Sequence, residues 1–449
     1  MAAEGRPLSA YVGSNGSGAS TSRHVVFMPV GAQLLNSLHT DRDETDVCRQ
    51  SMRRCARINI AATRFRALAL TLALAVGGCA TSLAYTPVPE KSVNLAQVAG
   101  HPNIRTWGDA DARDIDAAIN LNAPDAAVSP SAMRGEEQPL RTYLALSGGG
   151  GDGAYGAGVL VGWTASGGRP SFDVITGVST GALAAPFVFL GPAYDGKLEE
   201  IYTRFRTNDL GTPQLFSAVF GGPSLIDASG LEKLLAHYVN SQLIAEVARE
   251  HARGRRLLVA TTNVEAERQV IWNLGAIAAS RNSDRVELFR RILLASAAIP
   301  GVLPPVLIKV TVDGREYEEM HADGGITEQV FFVPGASKGE AKKSAPPRAH
   351  LYVVRNGKIG PEWESIKPSS LSIASRSLGT LIKNQARGDV NHLYYRAKSA
   401  GIAFRLAAIP ESFGGKYNEP FDKVYMRRLF DLGYEEARRG YPWAKAPPP

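Results

Sequence analysis

The chain contains two short apolar runs that each stop at a glycine-rich turn. Residues 142–146 (Thr-Tyr-Leu-Ala-Leu) lead into 147–153, where five of seven residues are glycine. Residues 172–176 lead into Gly-Val-Ser-Thr-Gly at 177–181. Each turn is followed by small and apolar residues that suit a buried helix. Apolar strands joined through helices are typical of parallel sheets. We therefore expect an α/β fold with three layers, α/β/α, and a mainly parallel central sheet.

The rest of the chain alternates in the same way. Strand-like apolar runs lie at 257–262, 269–272, 306–310 and 351–354. Helical patterns lie at 154–164, 180–190, 229–240, 284–297, 370–386 and 423–438. Residues 335–349 are rich in Gly, Lys, Ser and Pro, which predicts an exposed loop. We predict one domain over 141–440, with its core motifs in 142–333.

The formal net charge of +7 is unevenly placed, because nine arginines, five acidic residues and no lysine fall within residues 1–78. The remainder has no dense Lys/Arg stripe, which argues against nucleic-acid binding. Hydrophobic residues make up 44% of the chain and charged residues 21%, as in globular proteins. Residues 79–449 contain no His-x-x-x-His and no pair of cysteines, so we expect no metal and no cofactor.

Residues 67–78 are apolar and are preceded by five arginines between positions 53 and 66. A basic segment before a short apolar run is typical of a secretory signal peptide. The run is too short to span a bilayer. Its end, Val-Gly-Gly followed by Cys79, resembles a bacterial lipobox. The resemblance implies that Cys79 becomes the lipid-bearing first residue of the mature protein. An ordinary signal peptide that contains a Cys is the alternative.

The lipoprotein interpretation divides the N-terminal region into a leader, 1–78, and a lipid-anchored N-terminus and linker, 79–140. Within the linker, 81–100 reads as a tether and a short helix is expected near 111–120. Ala80 after the Cys implies sorting to the outer membrane, on its periplasmic face, within the bacterial cell envelope. The leader would be complete if it began at Met52, so one hypothesis is that residues 1–51 are not translated.

The Gly-x-Ser-x-Gly motif places Ser179 between a predicted strand and a predicted helix. This is the setting of a nucleophile elbow, in which a serine sits in a strained, tight turn. Gly177 and Gly181 are expected because side chains there would collide with neighbouring backbone. The motif alone is weak, and a glycine-rich turn with an incidental serine is the alternative.

The glycine-rich segment 147–153 follows one strand and opens a helix. Its amides near Gly149, Gly150 and Gly151 can point together at an anion and so form an oxyanion hole. The segment also fits Gly-x-Gly-x-x-Gly, a dinucleotide fingerprint. That interpretation needs an acid at the end of the next strand, whereas Asp173 lies at its start. A turn needed only for packing is the third interpretation.

Asp323 stands before two glycines at the end of a strand-like region. A carboxylate held in a glycine turn can act as general base for a serine within hydrogen-bond reach. An isolated Asp-Gly is usually just a turn, so the case depends on the other two motifs. The motif glycines of the three segments are Gly148, Gly153, Gly177, Gly181, Gly324 and Gly325.

These three motifs, in this order, resemble the patatin-like phospholipase family. Residues 295–305 (Ala-Ser-Ala-Ala-Ile-Pro-Gly-Val-Leu-Pro-Pro) are similar to the family's segment between elbow and base. The resemblance covers 142–333 and implies a patatin-like fold. It also implies a Ser–Asp dyad without histidine, with Ser179 as nucleophile and Asp323 as base. The implied activity is hydrolysis of carboxylic esters of phospholipids or other lipids through an acyl-serine.

One residue departs from the family pattern. Asp152 stands in the Gly loop where the family usually has Arg or Lys. We therefore predict that neutral or short-chain esters are hydrolysed at least as well as anionic phospholipids. The apolar stretches 184–190 and 295–306 are candidates for the acyl pocket.

Two other functions stay open at this point. An α/β-hydrolase esterase would use a Ser-His-Asp triad, and His350 and His392 both follow Asp323 as that order requires. A catalytically silent lipoprotein could instead bind lipid or a protein partner with the same fold.

Overall fold

The structure is a computed structural model that describes residues 85–119, 140–211, 226–333, 349–415 and 419–448. The predicted leader, Cys79 and almost all of the predicted loop at 335–349 lie outside these residues. None of the described helices combines the length and the apolar character that a membrane span requires.

The described strands form one nine-stranded sheet. They are β1 (Arg105–Trp107), β2 (Arg141–Leu146), β3 (Val174–Val178), β4 (Arg256–Asn263), β5 (Arg268–Asn273), β6 (Val306–Val312), β7 (Arg315–Asp323), β8 (Ala349–Arg355) and β9 (Ala403–Ala408). The central strands are all parallel, in the order β9-β8-β2-β3-β4. Strands β5 and β1 continue this order beyond β4 as antiparallel strands. The antiparallel hairpin β6-β7 also joins β4.

Helices connect and cover these strands. They are α1 (Ala112–Ile119), α2 (Gly153–Ala165), α3 (Thr180–Leu190), α4 (Asp195–Arg204), α5 (Thr207–Leu210), α6 (Ser229–Tyr238), α7 (Ser241–Ala252), α8 (Leu274–Ala279), α9 (Arg285–Ser296), α10 (Ser370–Ser399) and α11 (Lys423–Arg438). Helices α2 and α3 follow β2 and β3 directly, as crossovers between parallel strands require.

Two apolar clusters show that the sheet is covered on both faces. Alternate side chains of a strand point to opposite faces, and in β2 Leu144 and Leu146 join one cluster while Tyr143 and Ala145 join the other. The first cluster includes residues of α2, α3, α9 and α11, and the second includes residues of α1 and α10. The expected α/β fold, with three layers and a mainly parallel central sheet, is confirmed.

The segment before residue 141 differs from the predicted tether and linker. Strand β1 pairs with β5 at the edge of the sheet, from Arg105 opposite Trp272 to Trp107 opposite Val270. Residues 85–119 also contain a 3-10 helix, Glu90–Leu95, and helix α1, which lies within the range predicted for a short helix. The structure therefore corrects the linker assignment for 85–119. A three-residue edge strand carries too little periodicity to be recognised from sequence.

Candidate active site

Two strand ends meet along one edge of β4. Strand β3 pairs with the first part of β4 and ends with Val178 opposite Ala260. Strand β7 pairs with the next part of β4 and ends with Asp323 opposite Thr261. Because Ala260 and Thr261 are consecutive, the ends of β3 and β7 are neighbours. The register of the sheet thus brings Asp323 to Ser179, the residue after Val178, although they lie far apart in sequence.

Ser179 occupies the turn between β3 and α3 in a backbone conformation that is unusual for a residue with a side chain. Its φ is 53° and its ψ is −123°, which is a strained combination outside glycine. The turn is closely packed, since a Cβ on Gly177 would lie 2.7 Å from the carbonyl oxygen of Gly181. A Cβ on Gly181 would lie 2.5 Å from the carbonyl oxygen of Leu146. The local geometry is that of a nucleophile elbow.

Ser296, at the end of α9, supports this turn from beneath. The Ser179 amide donates a hydrogen bond to the Oγ of Ser296 at 3.1 Å, and the Ser296 hydroxyl donates to the carbonyl of Ala260 at 2.7 Å. Two residues further, the carbonyl of Ala298 accepts from the Asp323 amide at 3.0 Å. The 295–298 segment therefore holds the backbone of both site residues. The sequence identified this segment only by its resemblance to the family and gave Ser296 no role. A polar residue inside an apolar run could have indicated that Ser296 makes a buried hydrogen bond.

The Asp323 carboxylate is buried. Its Oδ1 accepts from the Gly325 amide at 2.7 Å, and its Oδ2 makes no hydrogen bond of good geometry within the described residues. Burial raises the pKa of Asp323 to about 6, although hydrogen bonding to the Ser179 side chain and to the Gly325 amide lowers the pKa. Asp323 is therefore ionised at neutral pH and basic enough to accept a proton from a hydroxyl beside it.

Gln329 links the turn after Asp323 to the glycine-rich loop. Its side-chain amide donates to the carbonyl of Gly325 at 2.7 Å, and its own carbonyl accepts from the Gly148 amide at 3.0 Å. Gly324 is equally confined, because a Cβ there would lie 2.4 Å from the carbonyl oxygen of Ala260. Sequence reasoning missed Gln329, since its role depends on contacts across the sheet.

The glycine-rich loop leaves three amides without an acceptor. Within the described ranges, no hydrogen bond runs from the N–H groups of Gly149, Gly150 or Gly151 to a protein atom. The loop ends at Gly153, the first residue of α2, so the positive end of the helix dipole lies beside these amides. The loop also lies against the elbow, since a Cβ on Gly148 would lie 3.3 Å from the Cβ of Ser179. An anion formed at Ser179 would meet these donors.

Asp152 is directed towards α11. Its carboxylate accepts a hydrogen bond from the Tyr425 hydroxyl at 2.8 Å. Burial raises the pKa of Asp152 to about 6, and Tyr425 and Arg355 oppose the rise. The carboxylate is thus held between the loop and the helix that covers it.

An apolar cavity of about 80 Å³ opens beside Gly150 of the glycine-rich loop and Thr180 of the elbow. Of the two stretches predicted as candidates for the acyl pocket, 184–190 contributes Phe187, and Leu183, the residue before that stretch, also lines the cavity. Residues 295–306 do not line this cavity, because their first part supports the backbone of the site. The other apolar lining residues are Ile201, Phe205, Leu210, Leu231, Leu234, Leu235, Val239, Phe421 and Met426.

The histidines considered for a triad lie away from the elbow. His350 pairs with Thr142 at the start of β8, the end of the sheet opposite the elbow, and its ring contacts the Tyr352 hydroxyl. His392 is an exposed residue of α10. Within the described residues, no hydrogen bond joins a histidine to Ser179 or Asp323.

The position of Asp173 argues against a dinucleotide site at the glycine-rich segment. Asp173 immediately precedes β3, and its carboxylate accepts from the Thr142 amide at 2.7 Å. It therefore lies at the amino end of the parallel strands, whereas a ribose would bind at their carboxyl end.

A comparison with protein families finds a match over the part of the chain that carries the motifs. Residues 144–334 match the profile of the family described as patatin-like phospholipase. No curated protein sequence matches the chain.

Two solved structures are similar to the chain at low identity. VipD from Legionella pneumophila is 10% identical, with a TM-score of 0.35, over 68% of this chain and 67% of that chain. The complex of full-length SpcU with full-length ExoU, from the type III secretion system of Pseudomonas aeruginosa, is 14% identical, with a TM-score of 0.31. That match covers 68% of this chain and 52% of the other, so it spans about half the length of the matched chain.

The matched range 144–334 includes the glycine-rich loop 147–153, the elbow 177–181, the 295–305 segment and the turn at Asp323. Residues 144–334 of this chain are a domain of the patatin-like phospholipase family.

Proposed function

We propose that the domain hydrolyses carboxylic esters of lipids through an acyl-serine formed on Ser179. The observation that carries the proposal is the junction of β3 and β7, where a strained, buried serine meets a buried carboxylate. Within the described residues, three amides of the adjacent glycine-rich loop have no acceptor, and an apolar cavity opens beside Gly150 and Thr180. These are the groups that ester hydrolysis needs: a nucleophile, a base, an oxyanion hole and a site for the acyl chain.

Acylation begins when Asp323 accepts the hydroxyl proton of Ser179. The Oγ attacks the ester carbonyl, and the negative charge that forms on the carbonyl oxygen is stabilised by the amides of Gly149, Gly150 and Gly151. When the tetrahedral intermediate collapses, the C–O bond to the alcohol breaks. The proton held by Asp323 passes to the departing alkoxide, which leaves as the alcohol.

Deacylation reverses these roles. Water attacks the acyl carbon and gives a proton to Asp323, and the same amides stabilise the second oxyanion. The bond between Oγ and the acyl carbon then breaks, and Oγ recovers the proton from Asp323. The fatty acid leaves and the enzyme returns to its starting state.

The absence of any histidine contact to Ser179 within the described residues supports a dyad over a triad. A dyad with a base whose pKa is about 6 needs no imidazole to work at neutral pH. His350→Ala and His392→Ala should therefore keep the activity of the unmodified protein, and loss of activity in either would favour the triad.

We also propose that neutral esters are accepted at least as well as anionic phospholipids. The cavity walls are almost entirely apolar, and the loop carries the Asp152 carboxylate near the site. Comparing p-nitrophenyl esters with phosphatidylglycerol tests this, and a clear preference for phosphatidylglycerol contradicts it.

Pre-steady-state hydrolysis of a p-nitrophenyl ester tests the acyl-enzyme directly. We expect a burst of about one p-nitrophenol per protein when deacylation is the slower step, abolished in Ser179→Ala. Ser166→Ala is the matched control, because Ser166 is exposed at the end of α2 and its hydroxyl bonds, among the described residues, only the carbonyl of Trp163. If folded protein shows no hydrolysis, the silent lipid-binding alternative is favoured.

We propose further that Cys79 anchors the protein by a lipid to the bacterial cell envelope, on the periplasmic face of the outer membrane. The apolar run before Cys79 and the preceding arginines support this. Metabolic labelling with an alkyne fatty acid in a bacterial host should mark the protein but not Cys79→Ser. Equal labelling of both would contradict the anchor.

A further inference from the structure

A buried arginine clamps the oxyanion loop from the side opposite Ser179. The strand order is β8-β2-β3, so the loop after β2 lies between the end of β8 and the elbow after β3. Strand β8 ends at Arg355, whose Nη1 donates to the carbonyl of Gly148 at 2.9 Å. The Ser147 hydroxyl donates to the same carbonyl at 2.7 Å. The carbonyl of Gly148 therefore accepts two hydrogen bonds.

Both backbone polar groups of Gly148 are held by hydrogen bonds. The Gly148 amide donates to the carbonyl of Gln329 at 3.0 Å, while its carbonyl is held by Arg355. In a trans peptide the C=O and the following N–H point in opposite directions. Because the Gly148 carbonyl faces β8, the Gly149 N–H faces β3, where Ser179 lies. That N–H has no acceptor within the described residues.

We propose that Arg355 is a positioning residue for ester hydrolysis. By donating to the Gly148 carbonyl, it orients and polarises the Gly149 N–H that stabilises the oxyanion. A cation on the carbonyl oxygen draws electron density through the peptide, and the effect is large in a buried, low-dielectric site. The inference rests on the proposed function, since the Gly149 amide matters only if an oxyanion forms.

The surroundings of Arg355 favour this role over simple packing. Its Nε has no hydrogen-bond partner within the described residues, and burying a charge with an unsatisfied donor is costly for stability. Burial lowers the pKa of Arg355, and the carboxylates of Asp152 and Asp389, which act on it through space, oppose this shift and favour its charged form. Asn356 holds the neighbouring strand ends together, because its side chain donates to the carbonyl of Ser147 at 2.8 Å. The clamp thus contains a fixed, charged group that packing alone does not need.

The test compares substitutions of Arg355 with a matched arginine elsewhere. Arg355→Met removes the donor and the charge, and Arg355→Gln keeps a donor but removes the charge. Arg291→Met is the control, because Arg291 also donates to a backbone carbonyl, that of Leu307 at 2.6 Å, but does so between α9 and β6. We expect kcat for a p-nitrophenyl ester to fall about tenfold to hundredfold in Arg355→Met, with KM nearly unchanged. The kcat of Arg355→Gln should lie between those of Arg355→Met and the unmodified protein, and the kcat of Arg291→Met should equal that of the unmodified protein.

A trifluoromethyl ketone inhibitor separates positioning from general damage. It binds by forming an oxyanion, so its affinity should weaken in Arg355→Met by about the same factor as kcat/KM. Wild-type kcat and inhibitor affinity in a folded Arg355→Met protein would overturn the inference. If that variant does not fold, the same result in Arg355→Gln overturns it. An inactive unmodified protein would refute the proposed function itself, which distinguishes the two failures.

Discussion

Replacing Asp323 with Asn should remove activity and yet stabilise the fold. Burial raises the pKa of Asp323 to about 6, compared with about 3.9 in an unfolded chain. The difference is about two pH units, each about 1.4 kcal/mol, so the ionised carboxylate costs the folded state about 3 kcal/mol. Asparagine carries no charge and keeps an acceptor for the Gly325 amide. Hydrolysis should nevertheless fall at least about hundredfold, because the base is lost.

The sign and the pH window of this effect follow from the two pKa values. The folded state holds the proton more tightly than the unfolded state, so the protein with Asp323 loses stability as pH rises from about 4 to about 6. Above that range the loss is constant. The asparagine variant should be more stable by about 1 kcal/mol at pH 4.5 and by about 3 kcal/mol at pH 7.

Urea unfolding of both proteins between about pH 4.5 and pH 8 measures this difference. Asp313→Asn is the control, because Asp313 is exposed in the turn between β6 and β7 and its replacement removes no buried charge. A difference that does not change with pH, or a variant less stable than the unmodified protein at pH 7, would refute the account of Asp323.

Three further predictions concern the support, the base and the cavity. Ser296→Ala removes the acceptor of the Ser179 amide and one donor to the Ala260 carbonyl, which should lower the free energy of unfolding by about 2 kcal/mol and reduce kcat. Denaturation and steady-state assays check this. The kcat/KM of the unmodified protein should fall about tenfold per pH unit below about pH 6 as Asp323 takes a proton, and a flat profile down to pH 4 would contradict the assignment. Leu234→Trp, in the cavity wall, should lower kcat/KM for long acyl esters by at least about tenfold relative to acetate, and equal losses on both would place the acyl chain elsewhere.

The sequence predicted several elements accurately where an apolar run has clear limits. Helix α3 has the predicted bounds, because its apolar residues lie between the elbow and the Gly191-Pro192 pair. Helix α11 also has the predicted bounds, since its apolar residues recur at helical spacing. Strand β3 runs from Val174 to Val178, two residues later than expected. Its pairing on both sides with β2 and β4 keeps the chain extended through Gly177.

Other elements could not be predicted because their pattern is set by distant partners. Only the end of β7 was anticipated: five of its nine residues are charged, and its place in the sheet depends on pairing with β4 and β6. Strand β9 was missed, and α10 extends to Ser399, well past the predicted end at 386. The second half of α10 buries Val390, Leu393 and Ala397 against the sheet, and this packing overrides a weak local signal.

The residues of the candidate site also fall into a group that could be predicted from the sequence and a group that could not. Ser179 and Asp323 could be named from the sequence because their motifs carry glycines that tight turns require. The residues that hold them, Ser296, Gln329 and Arg355, act on backbone carbonyls and amides of distant segments. Their roles depend on strand order and register, which local patterns do not specify.

Labelling with a fluorophosphonate probe tests the central claim most directly. The probe reacts with a serine only when a base and an oxyanion hole activate it. We expect one adduct per protein, located by mass spectrometry on the peptide that contains Ser179, and none in Ser179→Ala. A folded, unmodified protein that takes no label, or a label that persists in Ser179→Ala, would contradict Ser179 as the nucleophile.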